Sequence, residues 1–352
     1  MTTNSEFHVG DPGALIAALP AVLGFVPEKS LVLISLESAD RMGAVMRADL
    51  SDDLPVNLDH LAQLAETSGA ERVVCVIVDA DGALCPMCND DHRRTCEVLA
   101  GALRERGLDL RAAHVVDRVA AGGRWHCIDG CGRGGEVPDP YASPLAAAAV
   151  LDGRRLYGRR ADLAAVVACA DPARAAALEN LIEDCEQRRE QRWQADPNGC
   201  GRRDVEIAMA TAVAVSEGSE PDDDQIAHIA VSLTDLAVRD TLYALAVGSV
   251  SGAAEALWAL LARTLPDPWR VEALVLLAFS AYARGDGPLA GVSLEAALRS
   301  DPRHRMAGML DTALQSGMRP EQIRELAGTG YRLARRLGVQ LPPRTAFGRR
   351  AV

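Results

Sequence analysis

The chain lacks any apolar stretch long enough to cross a membrane, and it lacks the start of a secretory signal. Its longest apolar runs, such as residues 274–283, fall well short of the ~20 residues that a transmembrane helix needs. Residues 1–10 do not place a basic segment before an apolar one, as a secretory signal does. We therefore predict a cytoplasmic protein with no membrane partner.

Lysine is almost absent as well. Lys29 is the only one, and arginine supplies the rest of the positive charge, which fits a codon bias toward arginine better than a role in phosphate recognition. The 37 basic residues are outnumbered by 49 acidic ones, which gives a net charge of -12. Such a chain repels the anionic surfaces of nucleic acids and membranes, so nucleic acid is a disfavoured partner.

Known catalytic motifs are missing too. The sequence has no phosphate-binding P-loop, no H-E-x-x-H zinc helix and no nucleophile elbow. Residues 130–135 match the G-x-G-x-x-G spacing of dinucleotide sites, but Pro138 and Pro140 follow instead of the helix that such a site requires. The absence of these motifs argues against an enzyme.

What the first 170 residues do contain is an alternation of strand and helix signals. Strands are predicted at residues 31–34, 44–50, 72–79, 110–119 and around Trp125, and helices at residues 56–68 and 91–106. This order predicts an α/β sandwich domain at residues 1–170. Its sheet is expected to be mixed and partly parallel, because a hairpin is predicted at each end.

Strand signals vanish after Pro172, and helices are predicted to the end of the chain. Residues 171–220 are expected to form a helical connector, residues 221–340 an all-α domain of helical hairpins, and residues 341–352 a basic tail. Pro268 and Pro302 lie 34 residues apart, which is the tetratricopeptide period. About two such units are present, so flanking helices must stabilise them. A plain helical bundle with a coincidental spacing is the alternative.

Short motifs spread over the whole chain form a recognisable combination. They are Leu-Gly-Phe at 23–25, Pro-Glu-Lys-Ser-Leu-Val-Leu at 27–33, Arg-Ala-Asp-Leu at 47–50, Gly-Arg-Trp at 123–125 with the Cys/Gly-rich loop after it, residues 143–153, Pro-Trp-Arg at 268–270, residues 273–278, Gly-Asp at 285–286 and Asp-Pro at 301–302. Together they resemble the actinobacterial family known as domain of unknown function 4192. The resemblance implies that both halves belong to one architecture, and it implies no activity.

Two closely spaced cysteine pairs predict a zinc site, because short loops bring two thiolates to one ion. The candidate ligands are Cys85, Cys88, Cys127 and Cys131, with His92 or His126 as substitutes. The alternative is that these cysteines are reduced thiols without a metal, as is usual in the cytosol.

Acidic residues follow the strongest predicted strand, residues 72–79. The candidate ligand-binding residues there are Asp79, Asp81, Asp91 and His92. Ligands of open α/β sheets bind at the carboxyl edge of the strands, so these residues predict a site for a divalent cation or a polar substrate. The alternative is that they are solvated turn formers, with Asp90 and Asp91 capping the following helix.

These features lead to three hypotheses of function. The leading one is a non-enzymatic interaction or scaffold protein that binds a protein partner through its helical repeats. The first alternative is an enzyme or small-ligand sensor that uses the carboxyl edge near Asp79, Asp81 and His92. The second is a nucleic-acid-binding protein with a zinc knuckle, although the net charge counts against it.

Overall fold

The computed structural model describes residues 11–37, 41–51, 53–151 and 154–344. The chain divides into two compact units, the first formed by Met1–Asp162 with Gln315–Gly317 and the second by Leu163–Leu314 with Met318–Val352. Residues 1–10, where a secretory signal was sought, lie outside the described residues, as do residues 345–352 of the predicted basic tail. The finer division into connector, repeat domain and tail stays a prediction.

The first unit is an α/β unit. Its elements in chain order are α1 (Pro12–Leu23), β1 (Ser30–Glu37), β2 (Arg41–Asp49), α2 (Leu54–Thr67), β3 (Arg72–Val78), α3 (Pro86–Glu105), β4 (Asp109–Val116), β5 (Arg124–Cys127), β6 (Gly134–Glu136) and α4 (Pro144–Leu151). Within the described residues, six strands form one sheet in the order β2-β1-β3-β4-β5-β6. Strands β3 and β4 pair in parallel, and the other neighbours pair antiparallel. The predicted mixed, partly parallel sheet is confirmed.

Strands β1 and β3 form the centre of the sheet and are buried along nearly their whole length. One face packs against α2 and α3 through side chains such as Leu33, Leu58, Ile77 and Leu99. Successive side chains of a strand point to opposite faces, so a strand covered on both sides needs a nearly continuous apolar sequence. The apolar runs of β1 and β3 meet that requirement.

Helix α3 begins at Pro86 rather than at residue 91, where the sequence pattern predicts its start. Proline is favoured in the first turn of a helix, because its missing N–H and fixed φ suit that position. Asp90 and Asp91 therefore lie inside the helix, where each pairs with the arginine three residues later. The prediction that they cap the helix is wrong; Cys85 occupies the N-cap position.

The second unit is helical throughout its described part. Helix α5 (Arg160–Ala165) leads into it, followed by α6 (Pro172–Ala195), α7 (Pro197–Ser216), α8 (Asp223–Ser232), α9 (Leu236–Leu242), α10 (Ser251–Thr264), α11 (Arg270–Arg284), α12 (Gly287–Ser300), α13 (Arg305–Gln315) and α14 (Pro320–Leu337). The predicted order of an α/β part followed by an all-α part is confirmed. None of the described helices combines the length and the apolar character needed to cross a membrane.

Helices α11 and α12 form the hairpin at the centre of the predicted repeat. Helix α11 ends at Arg284, and Gly285 follows with a φ of 90°, a left-handed conformation that favours glycine. Asp286 then caps α12 by accepting a hydrogen bond from the backbone N–H of Leu289. The hairpin lies where the sequence pattern placed it, and its membership of the tetratricopeptide class stays a prediction.

Candidate functional site

Lys29 and Asp79 meet at the carboxyl edge of the sheet. Strand β3 ends at Val78, and the antiparallel register pairs Val78 with Ser30, so the residues just outside these two strands are neighbours. Lys29 has a φ of 42°, in the left-handed region that non-glycine residues adopt uncommonly. Its Nζ atom lies 2.7 Å from Oδ1 of Asp79 and 2.7 Å from Oδ2 of Asp81.

Asp79 is the buried centre of this cluster, with only 7% of the residue exposed. Burial alone would raise the pKa of its carboxyl group. Hydrogen bonds from Lys29 and from the backbone N–H of Gly82 outweigh burial and hold the pKa of Asp79 below its usual value. The same kind of hydrogen bond, to Asp79 and Asp81, raises the pKa of Lys29 above its usual value. The carboxylate and the ammonium group therefore both stay charged at neutral pH.

His92 contacts the second oxygen of the same carboxylate. Its Nε2 atom lies 3.1 Å from Oδ2 of Asp79, and its side chain is 12% exposed. Because an ionised carboxylate can only accept a hydrogen bond, Nε2 carries a proton, and Nδ1 is the nitrogen that can accept one. A carboxylate that orients an imidazole in this way is the arrangement of a general base.

Gly82 allows the turn after β3 to close around the carboxylate. A Cβ atom at this position would lie 2.0 Å from Oδ2 of Asp79 and 3.1 Å from Cβ of Cys88. Any larger residue would push the carboxylate or helix α3 away. The glycine therefore belongs to the construction of the site.

A second histidine lies on strand β5 with a fixed protonation pattern. Asn89 donates its two Nδ2 protons to the carbonyl oxygens of Ala83 and Cys85, at 3.0 and 2.9 Å. Its Oδ1 is therefore an acceptor, and Nε2 of His126 donates to it at 3.0 Å. Burial, with a smaller contribution from His92, holds the pKa of His126 below its usual value. The neutral ring leaves Nδ1 as a proton acceptor.

A cavity of about 360 Å³ opens beside His126, which is in the size range of small-ligand sites. Helix α3 and the loop between β5 and β6 form its walls. The lining side chains include Asn89, Arg93, His126, Cys127, Ile128 and Arg133. The α/β unit thus offers a small-ligand volume next to the histidine.

The four cysteines predicted to bind zinc fall into two separate pairs. Cys85 and Cys88 lie at the start of α3, whereas Cys127 and Cys131 lie at the end of β5 and in the loop after it. In the part of the chain that the structure describes, Cys127, Asp129 and Cys131 form the group of three ligand atoms that lie within 4.8 Å of one another. That group includes neither Cys85 nor Cys88, and neither of the substitute histidines.

The predicted acidic ligands also separate. Asp81 is exposed and shares Lys29 with Asp79. Asp91 is exposed on α3 and pairs with Arg94. Of the predicted ligand-binding residues, Asp79, Asp81 and His92 thus belong to one cluster, and Asp91 makes its ion pair elsewhere. Residues 130–133 lie in the loop before β6, and Gly134 and Gly135 begin that strand.

Sequence reasoning missed Lys29 and Asp129, and it did not foresee the contact between Asn89 and His126. Lys29 is 50 residues away from Asp79, and only the register of β1 against β3 brings them together. Asn89 lies four residues after the N-cap of α3, a relation that becomes visible once the helix is known to start at Pro86. Asp129 lies between Cys127 and Cys131, which were both predicted as zinc ligands, so its position in the sequence could have suggested it as a third ligand.

A family model with the description Domain of unknown function (DUF4192) matches residues 12–321. No curated protein matches the chain, and no solved structure does. The matched range contains the whole cluster around Asp79 and most of the helical unit.

Proposed function

This chain belongs to the family described as domain of unknown function (DUF4192), and from that premise we propose that the carboxyl edge of its sheet is an enzyme site in which Asp79 and His92 accept a proton from a polar substrate. The observation that carries the proposal is the nearly buried Asp79 carboxylate, which is held between Lys29 Nζ at 2.7 Å and His92 Nε2 at 3.1 Å. Carboxylate–histidine pairs of this kind supply general bases.

The position of the pair supports a functional role. Ligands of open α/β sheets bind outside the carboxyl ends of parallel strands, and Asp79 directly follows such a strand. Lys29 also holds a left-handed backbone conformation, and strain of this kind clusters at active sites and ligand clamps. A lysine that served only to neutralise a surface acid would need no such backbone.

The charge of the cluster limits the kind of substrate that can bind. Lys29 is shared between Asp79 and Asp81, so the three groups together carry one negative charge. Asp81 is 82% exposed and presents free oxygen lone pairs to the solvent. Such an edge repels polyanions and accepts hydrogen bonds. We therefore propose a neutral or cationic polar substrate with an acidic O–H, N–H or S–H group.

A thermal-shift screen with a panel of neutral and cationic metabolites tests the proposal. We expect at least one compound to raise the melting temperature of the wild-type chain and to lose that effect in Asp79→Asn. Asp90→Asn is the matched control, since Asp90 is an exposed acid of α3 that pairs with Arg93. A compound that stabilises wild type and Asp79→Asn equally, or a panel without any binder, would contradict it.

A second candidate role is zinc binding at Cys127, Asp129 and Cys131, which is supported by their mutual distances within 4.8 Å. Thiolate and carboxylate ligands suit zinc, and a fourth ligand would complete a tetrahedral site. We expect nearly one zinc per chain by elemental analysis of protein purified with reduced thiols, lost in Cys131→Ser and kept in Cys169→Ser. Zinc well under one equivalent in the wild type would rule the role out.

The helical unit remains our proposed contact for a protein partner. A cavity of about 390 Å³ in that unit supports the idea, with walls that combine apolar residues such as Val166, Ile226 and Leu260 with the charged residues Arg174 and Glu220. Affinity purification from the native host should lose partners in Leu260→Arg and keep them in Met309→Arg, whose side chain is exposed outside the cavity. Identical partner lists from the intact chain and Leu260→Arg would contradict the proposal.

A further inference from the structure

Two cysteines of the sequence Cys-Pro-Met-Cys lie in the first turn of α3, at the carboxyl edge of the sheet. Cys85 is the N-cap residue, Pro86 follows it, and Cys88 comes three residues later on the same helix face. The N-cap and the third helical position lie next to each other at the start of a helix, so the fold brings the two side chains together. Both residues are partly exposed, so a reactant can reach them.

The environment makes the two thiols unequal. The backbone N–H and the thiol of Cys88 hold the pKa of Cys85 below its usual value, as the N-terminus of a helix commonly does for a thiol. The Cys85 sulfur, together with burial and the charge of Asp79, raises the pKa of Cys88. One thiol is therefore prepared to attack, while the other keeps its proton until a base removes it.

A histidine lies one helical turn after the second cysteine. His92 follows Cys88 by four residues, so both side chains lie on one face of α3, one turn apart. Asp79 contacts Nε2 of His92, which leaves Nδ1 as the proton acceptor. A Cβ atom at Gly82 would lie 2.0 Å from Oδ2 of Asp79 and 3.1 Å from Cβ of Cys88, so the side chains of Asp79 and Cys88 both start beside this glycine.

We propose that Cys85 and Cys88 form a redox-active dithiol that reduces a disulfide bond in another molecule, with His92 as the base for Cys88. A Cys-x-x-Cys pair that follows a strand and opens a helix is the arrangement of thiol–disulfide exchange sites. The inference rests on the proposed function, because it names the substrate class and the proton donor for the same Asp79–His92 pair. A disulfide-containing peptide of neutral or positive charge matches the single negative charge of the edge.

Exchange proceeds through two displacements. The Cys85 thiolate first attacks one sulfur of the substrate disulfide, forms a mixed disulfide and releases the other substrate sulfur as a thiolate. His92 Nδ1 then takes the proton of Cys88, whose sulfur attacks Sγ of Cys85 and releases the second substrate thiolate. The substrate gains two electrons and the two protons given up by Cys85 and Cys88. The chain is left with a Cys85–Cys88 disulfide, which an external dithiol reduces.

A second cysteine pair provides an internal comparison. Cys75 on β3 and Cys96 on α3 are neighbours, but both are buried in the core of the α/β unit. The interaction with Cys96, together with burial, raises the pKa of the Cys75 thiol well above its usual value. A reactant cannot reach this pair without unfolding, so proximity alone does not make a dithiol reactive.

The first experiment identifies the disulfide. The intact chain is equilibrated in mixtures of reduced and oxidised dithiothreitol, quenched in acid, alkylated and mapped by peptide mass spectrometry. We expect a reversible Cys85–Cys88 disulfide with a single midpoint, lost in Cys85→Ser and Cys88→Ser and kept in Cys169→Ser. No Cys85–Cys88 disulfide in excess oxidised dithiothreitol, or a disulfide only between Cys75 and Cys96, would overturn the proposal.

The second experiment tests the base with a small neutral aromatic disulfide, 2,2′-dithiodipyridine, in stopped flow. After Cys85 forms the mixed disulfide, we expect His92→Gln and Asp79→Asn to close the internal disulfide at least about tenfold more slowly than wild type at pH 7. The difference should shrink as the pH rises, because hydroxide then removes the proton of Cys88 without help from the histidine. Asp90→Asn should behave as wild type. Equal closure rates in all variants at pH 7 would overturn the role of His92.

The two proposals can fail separately. If the dithiol does not exchange, but a metabolite still binds in a manner that depends on Asp79, the substrate class is wrong and the enzyme site stands. If the dithiol exchanges at a rate independent of Asp79 and His92, the reactive pair stands without the proton-accepting site. Each result therefore assigns the failure to one proposal.

Discussion

At the residue scale, the central feature is a buried charged group whose oxygens all have polar partners. Asp79 accepts from Lys29 and contacts His92, so no oxygen of the carboxylate is left without a partner. An unpartnered buried carboxylate would take up a proton instead. The pairing keeps Asp79 ionised, and an ionised Asp79 fixes which nitrogen of His92 carries the proton. The same contacts therefore determine the positions of Asp79 and His92 and the location of the proton on the imidazole ring.

Replacing Asp79 with asparagine should destabilise the α/β unit in a pH-dependent way. The folded pKa of Asp79 is lowered, so its stabilising effect is complete above the unfolded value near 3.9 and is lost as the pH falls through the folded pKa. We expect Asp79→Asn to lower the free energy of unfolding by about 2 kcal/mol at pH 7 and by progressively less as the pH falls below the unfolded value. Urea denaturation over a series of pH values measures this. Asp90→Asn should change stability by less than about 0.5 kcal/mol.

His114 should make the same unit sensitive to mild acid. Burial lowers the pKa of this strand histidine to about 4, and the residue is 4% exposed. Because the unfolded chain takes up the proton near pH 6.5, stability falls between pH 6.5 and 4, by about 3 kcal/mol in total. Denaturation from pH 7 to pH 4 should show this loss in the wild type but not in His114→Phe. An NMR titration in which His114 protonates near pH 6.5 would contradict it.

The site was only half predictable from the residues. Asp79, Asp81 and His92 could be selected because they follow a strong strand signal, and sheet edges of that kind bind ligands. Lys29 could not, because its contact depends on an antiparallel register between strands separated by a long stretch of sequence. The left-handed backbone of Lys29 could not be predicted from the sequence either, because glycine is the residue usually found in that conformation.

At the scale of elements, the start of α3 determines how the site is organised. A start at Pro86 places Cys85, Cys88 and His92 on one helix face and Asn89 where it can bridge to His126. The sequence pattern predicts a loop for this segment, in which the same residues would have no common direction. The proline after Cys85 was the missed signal, because proline is favoured at the first helical position.

Strands and hairpins were easier to predict than helix ends. The runs in β1 and β3 are apolar on both faces and short, which is typical of central strands. Strand β6, with the sequence Gly-Gly-Glu, has no apolar pattern and is defined only by its pairing with β5. Such a strand cannot be predicted from its own residues, because it is defined by the neighbouring strand with which it pairs.

Replacing either of two glycines of the helical unit with alanine should change the stability, in opposite directions for the two positions. Gly285 has a φ of 90°, and an added Cβ would meet Cγ of Pro320 at an ordinary contact distance of 4.0 Å, so a Cβ is disfavoured by the backbone rather than by a clash. We expect Gly285→Ala to lower the free energy of unfolding by about 1–2 kcal/mol. Gly308 lies inside α13, where an added Cβ would have no atom within 4 Å, and Gly308→Ala should raise it by about 0.5–1 kcal/mol. Equal effects in urea denaturation would contradict this assignment.

At the scale of the whole molecule, two units of different construction share one chain. The α/β unit carries the clustered titratable groups on which the enzyme proposal rests, whereas the helical unit carries the cavity proposed for a partner. The net charge of -12 of the whole chain disfavours polyanionic partners. Cytoplasmic location and the tetratricopeptide class of the helical hairpins stay predictions.

Hydrogen–deuterium exchange of the intact chain, with and without the deproteinised small-molecule extract of the native host, tests the central claim most directly. We predict slower exchange in peptides that cover residues 79–92, because a substrate at the carboxyl edge shields the turn after β3 and the start of α3. The protection should disappear in Asp79→Asn and persist in Asp90→Asn. Protection that is unchanged in Asp79→Asn, that occurs only in the helical unit or that is absent altogether would contradict an enzyme site at this edge.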